Sequence, residues 1–296
     1  MDHLELCIEA AIAGGKAVEN YKSGEAMQKA DEYVGHHAIV TDADFMSQSA
    51  ALKALQPDKE SFFITEEHVG EELKKRMLTG ENIGKIKSSK VYIIDELDGS
   101  SSFSAGHYEW SVSIGFLENM VHKAGAVFAP KIENGTLFFA SQGEGAFRKA
   151  NGKEAKLQVA DRKLQDCYVL YGPDVALKNY PVHSKMFTHL GNQIRTTNLV
   201  NSCALGMSLV AAGNADAIIQ PLHSPWDWAA GKLFVEEAGG SVLFYEMDKE
   251  GKVFPISRLE PRHYDPSKRA VGFVAANEAL AEEIMEMLLS LSEPVS

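Results

Sequence analysis

The sequence predicts an α/β fold with an α+β first half. Short apolar runs rich in β-branched and aromatic residues, at 91–94, 168–171 and 271–275, have the length and residue types of strands. Longer stretches with helical period alternate with them. Residues 110–117, 124–128 and 136–140 read as strands separated by short turns, the pattern of antiparallel neighbours. At 296 residues, the chain can bury a large core, as one big domain or two closely packed halves. The halves are expected at 1–148 and 149–296.

Taken in order, Leu4, Ile8, Ala11, Ile12, Gly15 and Val18 form one face of an opening helix, and Asp2 suits its N-cap. Residues 24–38 form a polar connection without clear period. His36 and His37 lie in it and read as solvated loop histidines. A second helix is expected at about 42–55, and strands at 61–65 and 91–94. Gly143-Glu144-Gly145 reads as a turn, because no third glycine completes a dinucleotide loop. The second half should contain a strand at 168–171, helices at 182–190 and 202–212, and a strand at 217–220. A helix follows from Pro225 to a stop at Gly239-Gly240. Strands at 242–245 and 271–275 and a helix at 278–291 close the chain. The acidic stretch 246–268 reads as a surface connection. Trp226 and Trp228 read as packing anchors and Met207 as core. His223 is expected at a cap or on the surface.

The most informative string is Val91-Tyr92-Ile93-Ile94-Asp95-Glu96-Leu97-Asp98-Gly99-Ser100-Ser101-Ser102-Phe103. Two acids three residues apart stand where a buried strand should end, before a turn rich in hydroxyls. Such acids can hold a hard cation through oxygen. The turn's N–H groups can cradle a phosphate. An EF-hand loop is excluded, since Leu97 fills its third position and Gly99 arrives one place early. A haloacid-dehalogenase-type site would space its acids by two, so a covalent aspartyl-phosphate is the weaker option. An acidic turn on a solvated surface is an equal reading of this string alone.

Further acids weigh against that bland reading. Ser61-Phe62-Phe63-Ile64-Thr65-Glu66-Glu67-His68 repeats the design of an apolar strand running into acids. Ser224-Pro225-Trp226-Asp227 opens a helix and places Asp227 in its first turn. Asp44 starts another helical pattern.

Glu66-Glu67, then Asp95-x-Leu97-Asp98-Gly99-Ser100, then Trp226-Asp227-x-Ala229-Ala230-Gly231, in this order, resemble the inositol monophosphatase family. Its wider superfamily of Mg²⁺-dependent, lithium-sensitive phosphatases includes fructose-1,6-bisphosphatases and 3'-phosphoadenosine phosphatases. The resemblance covers about residues 5–285. It implies a layered α-β-α-β-α sandwich and a commonly dimeric protein. It also implies roles for single residues. Glu66, Asp95, the carbonyl of Leu97, Asp98 and Asp227 match metal ligands, and Glu67 matches support for a weak third site. Glu66 also orients the attacking water, and Asp44 with Ser100 draws its proton. Gly99, Ser100 and Ser101 match the phosphate turn. The backbone N–H of Cys203 and the side chain of Gln220 match substrate contacts, while Asp98 and Asp227 lie near the leaving oxygen.

Several positions depart from the family pattern. Glu96 stands where Pro is usual and adds a charge beside the metals. Thr65 replaces Gly, Ser102 replaces an Asn-like residue, and Asn201 and Cys203 differ from a Gly-Ser-Ala-Ala-Leu pattern. Gln220 replaces a Glu that bonds a ring hydroxyl. The expected activity is therefore Mg²⁺-dependent hydrolysis of a small phosphate monoester resembling inositol-1-phosphate. A fructose-1,6-bisphosphatase or 3'(2'),5'-bisphosphate nucleotidase is the alternative. A regulatory partner-binding protein is the alternative of another class.

Composition agrees. Carboxylates without a Cys/His set point to Mg²⁺ or Mn²⁺ over Zn²⁺, and the resemblance implies two or three such ions. The net charge of −12 argues against nucleic-acid binding through a basic surface. Three scattered cysteines suit a reducing cytoplasm. Acids at Asp2, Glu5 and Glu9 do not suit a signal peptide, and no apolar run reaches the length of a membrane span.

Overall fold

The computed structural model describes residues 1–21, 27–28, 39–40, 42–67, 69–71, 73–172 and 181–293. The first half runs α1 (His3–Val18), β1 (Met27–Gln28), β2 (Ile39–Val40), α2 (Asp42–Ala54), β3 (Phe62–Thr65), β4 (Lys90–Asp98) and α3 (Ser100–Ser104). It continues through β5 (Ser111–Glu118), β6 (Val121–Ala129), β7 (Thr136–Ser141), β8 (Gly145–Ala150) and β9 (Lys153–Lys156). The second half runs β10 (Tyr168–Tyr171), α4 (Pro181–Gly191), β11 (Thr196–Leu199), α5 (Cys203–Ala211), β12 (Ala217–His223) and α6 (Pro225–Glu237). It closes with β13 (Ser241–Met247), β14 (Val253–Ile256), β15 (Val271–Ala276) and α7 (Glu278–Ser292).

Strands β3 to β9 form one sheet in sequential order, parallel between β3 and β4 and antiparallel elsewhere. A second sheet has the order β11-β10-β12-β15-β13-β14 and is mixed. Three apolar clusters set the layers. Leu6, Ala10 and Ala51 of α1 and α2 pack on Phe63, Tyr92, Phe116 and Phe128 of the first sheet. Met207, Trp228, Ala230 and Phe234 of α5 and α6 join Val127 and Phe138 to Ile218 and Phe273, between the sheets. Val182 and Met186 of α4 and Leu280 and Ile284 of α7 cover the far face of the second sheet. The result is the layered α-β-α-β-α sandwich.

Helix α6 can lie close to the first sheet because small residues meet there. A Cβ at Gly115 would stand 3.1 Å from the Ala229 Cβ, and one at Gly125 would stand 3.3 Å from that of Ala230. Buried His122 pins the contact, with Nδ1 2.9 Å from the Ala229 carbonyl and Nε2 3.0 Å from the Tyr264 hydroxyl. Trp228 is fully buried against Phe244 and Tyr264, and Met207 is core.

Three expectations need correction. The strand expected at 91–94 extends through Asp98, so both acids belong to the strand itself. The stretch 246–268 contains β14 and a 3₁₀ turn at Pro261–Tyr264, whose His263 and Tyr264 are buried. Its apolar residues lie too far apart in sequence to show a period. Strands β8, β9, β11 and β14 were not expected from the sequence. The polar connection at 24–38 includes β1, which pairs with β2. His36, His37 and His68 lie outside the described residues.

Candidate active site

Asp95, Asp98 and Asp227 each place a carboxylate oxygen within 4.8 Å of the others. In a regular strand, residues three apart face opposite sides. The register of β4 against β5 shifts between Asp95 and Asp98, and this irregularity brings both acids to one spot. The Leu97 N–H donates to Asp95 Oδ1 at 3.1 Å across the same bend. Gly99 then turns the chain with φ +95°, and a Cβ there would lie 2.8 Å from the Glu109 carbonyl. Both facts demand glycine. Ser100 and Ser101 open the short helix α3, so their N–H groups have no carbonyl of a preceding turn.

Asp98 is held from the second half of the molecule. The Ser202 hydroxyl donates to its Oδ2 at 2.6 Å and the Ala204 N–H at 2.7 Å, while the Cys203 N–H donates to Oδ1 at 2.9 Å. Ser111 Oγ stands 3.1 Å from Ser202 Oγ. A carboxylate on a first-sheet strand thus caps the N-terminus of α5, where the helix dipole favours negative charge. Asp227 completes a capping box at the start of α6, its Oδ2 taking the Ser224 N–H at 2.9 Å.

Burial and repulsion dominate the electrostatics. Burial pushes the Asp95 carboxyl well above its ordinary value, helped by the charges of Glu66, Asp98, Asp227 and Glu96. Asp98 is pushed up to about 7 by burial and by Asp227, against the pull of its three donors. Asp227 is half-buried, and desolvation raises it, but His223, Arg269 and the Ser224 N–H outweigh that and hold it below its ordinary value. Clustered carboxylates that resist ionising together are the donor set of a hard divalent cation. These residues fit such an ion.

The other expected residues fall around this cluster. Asp44, buried in the first turn of α2, accepts from the Ser100 hydroxyl at 2.9 Å; that hydroxyl is also 2.9 Å from the Leu97 carbonyl. Glu66 and Glu67 follow β3, the former half-buried and the latter buried. Ser101 is exposed.

Several positions differ from expectation. The Cys203 N–H donates to Asp98, because α5 begins directly beneath that carboxylate. Burial, with the charges of Asp227, Asp98 and Asp95, drives the Cys203 thiol far up, away from nucleophilic character. Gln220 is buried, with Oε1 3.0 Å from His223 Nε2. His223 is not a surface residue. Strand β12 runs on to it through a register shift, and its Nδ1 lies 3.1 Å from Asp227 Oδ2. The Glu96 carboxylate turns to the Glu67 N–H at 3.0 Å. Sequence reasoning missed the part of Ser202. A serine before an apolar helix is a capping signal, but its reach to Asp98 depends on tertiary packing.

The whole chain, from residue 2 to 293, matches the inositol monophosphatase family. It belongs to that family. A "Fructose-1,6-bisphosphatase/inositol-1-monophosphatase" of Aquifex aeolicus is 28% identical over 287 residues, 96% of this chain and 94% of that protein. A "Nus factor SuhB" of Haemophilus influenzae is 31% identical over 247 residues, covering 82% of this chain and 85% of its own. The crystal structure of extragenic suppressor protein suhB from Bartonella henselae superposes with a TM-score of 0.73 at 25% identity, covering 97% of this chain and 98% of that one. Members of the inositol monophosphatase family are metal-dependent phosphatases, and the acid cluster lies in a chain of that family. Among the described residues, no helix is long and apolar enough to cross a membrane.

Proposed function

We propose that this member of the family hydrolyses a small phosphate monoester resembling inositol-1-phosphate, using Mg²⁺. The convergence of Asp95, Asp98 and Asp227 carries this reading. Oxygen-only donors favour Mg²⁺ or Mn²⁺ over Zn²⁺. Glu66, Asp95, the Leu97 carbonyl, Asp98 and Asp227 would hold two ions, and Glu67 would support a third. When bound, the ions supply positive charge to the phosphoryl oxygens and make a water nucleophilic near neutral pH.

The chain's residues do the rest. Glu66 orients the attacking water. Ser100 takes a proton from that water as its own hydroxyl proton passes to Asp44 Oδ1, 2.9 Å away. N–H groups at Gly99, Ser100 and Ser101 hold the phosphate oxygens. Water attacks phosphorus directly and the P–O ester bond breaks in line without a phosphoenzyme; the leaving oxygen takes a proton from solvent and departs as the alcohol, with inorganic phosphate remaining. Asp98 and Asp227 flank the leaving oxygen. The reading extends to a lithium-sensitive cytoplasmic homodimer acting on a small phosphorylated metabolite. Three buried free cysteines fit a reducing compartment.

A fructose-1,6-bisphosphatase or 3'(2'),5'-bisphosphate nucleotidase activity is the second reading. Gln220 favours it, since it replaces a Glu expected to bond a ring hydroxyl, and its side-chain oxygen lies 3.0 Å from His223 Nε2. A regulatory partner-binding role is the third, motivated by relatives named Nus factor SuhB. Phosphate release from inositol-1-phosphate, fructose-1,6-bisphosphate and 3'-phosphoadenosine-5'-phosphate across Mg²⁺ concentrations separates them. Turnover of one ester, lost in Asp95→Asn, supports the enzyme and names its substrate class. A folded, Mg²⁺-binding chain that turns over none of them sinks it in favour of the binding role.

A further inference from the structure

We propose that Glu96 is a positioning residue that holds the acid-bearing segments of the metal site in register. The inference rests on the metal-centre reading above. Glu96 is fully buried, and a buried carboxylate is retained only where it is bonded. Its Oε1 accepts the Glu67 N–H at 3.0 Å. Its backbone carbonyl accepts the Ser47 hydroxyl at 2.6 Å. Glu67 carries Glu66 beside it, Ser47 lies one turn beyond Asp44 on α2, and Glu96 itself sits between Asp95 and Leu97 on β4. One residue therefore touches all three first-half segments that bear the acids. The Thr65 hydroxyl donates to the Glu67 carbonyl at 2.7 Å, so both backbone groups of Glu67 are fixed. A proline at position 96 would offer no side-chain acceptor and could not make this tether. The acceptor oxygen and its reach carry the positioning role.

The test uses the full chain with Glu96→Gln, Glu96→Ala and Glu96→Asp. Mg²⁺ and Mn²⁺ affinities are measured by calorimetry, and amide exchange over residues 65–71 is followed without metal. Glu96→Gln keeps an acceptor at the same distance and should bind metal within about threefold of the unaltered chain. Glu96→Ala should lose about tenfold to a hundredfold in affinity, as expected when the support of a ligand is removed. Its Glu67 amide should exchange at least about tenfold faster, because the bond that protects it is gone. Glu96→Asp keeps the charge but falls one methylene short, so it should follow Glu96→Ala and serves where that variant does not fold. A purely structural role would lower the melting temperature and leave the affinity of the folded variants unchanged, which overturns the proposal. Loss of affinity in Glu96→Gln equal to that in Glu96→Ala overturns it too. An unaltered chain that binds neither ion overturns both this inference and the metal-centre reading. Normal binding by that chain with no effect of Glu96→Ala or Glu96→Asp overturns this inference alone.

Discussion

Two buried polar patches meet at the start of α6, and they follow opposite rules. In the acid cluster, Asp95 and Asp98 are surrounded by further carboxylates and resist ionising. In the wall behind Asp227, polar groups complete one another. The Tyr245 hydroxyl donates to the Gln220 carbonyl at 2.6 Å and lies 2.8 Å from His183 Nε2, while Gln220 Oε1 meets His223 Nε2. The first patch gathers like charges that a cation would offset; the second is knit by hydrogen bonds. Burial also perturbs the wall, pushing the His183 imidazole down to about 3, but no cluster of like charges forms there. The quiet wall only shapes what the chemistry can reach.

Removing one acid from the conflicted patch should break this contrast most. Asp95→Asn deletes a charge the cation needs. Several kcal/mol of transition-state stabilisation are at stake, so phosphate release should fall on the order of a thousandfold. The same variant should melt higher than the unaltered chain without metal, because repulsion is relieved. A metal-free melting temperature that drops contradicts the conflict described here.

The pH dependence sharpens the comparison next. The folded carboxyl of Asp98 lies above its unfolded value, so between about pH 4 and pH 7 the folded chain binds the extra proton. Its stabilising effect is lost as pH rises through that window. Asp95 acts in the same direction and Asp227 in the opposite one. Without metal, the melting temperature should fall from about pH 5 to about pH 8, by an amount equivalent to a few kcal/mol. Saturating Mg²⁺ should flatten that slope, since the ion holds the acids ionised. Equal slopes with and without Mg²⁺ would refute the assignment.

Ser202→Ala tests the seam between the halves. It removes a charge-assisted bond to Asp98 and the cap of α5, whose Leu205 N–H the serine accepts at 3.3 Å. Thermal unfolding should show a loss of about 2–3 kcal/mol. A change below measurement error would show that the backbone N–H groups alone hold Asp98. Gln220→Glu should have the smallest effect on turnover, less than about tenfold, because the quiet wall does not carry the reaction. It should raise the preference for inositol-1-phosphate over a bisphosphate in competition assays. An unchanged ratio removes Gln220 from specificity.

The acids were legible because their chemistry is local: Asp95, Asp98 and Gly99 stand within one short string. The central strands and the capped helices were legible through period and composition. Edge strands were not. Lys153–Lys156 is exposed along its length and Val253–Ile256 contains Pro255, so each owes its conformation to a bonded neighbour and not to an apolar pattern. The burial of His223 and the tether made by Glu96 were not legible for a related reason. A polar residue carries no mark of burial in its own sequence, and its depth is decided by partners far along the chain. For Glu96 that partner is Glu67, and for Asp98 it is the end of a helix more than a hundred residues away.

The cap that Asp98 provides to α5 has an evolutionary consequence. Asp98 and Asp227 each hold a helix start as well as facing the cluster, so selection for folding alone would preserve both. Among the described residues, the Asp95 carboxylate bonds within its own strand bend, to the Leu97 N–H, and caps no helix. If the proposed hydrolysis holds, a descendant that abandoned it would be free to drift at Asp95 first. The acid with the lesser structural duty is therefore the better witness that a relative is still a working enzyme.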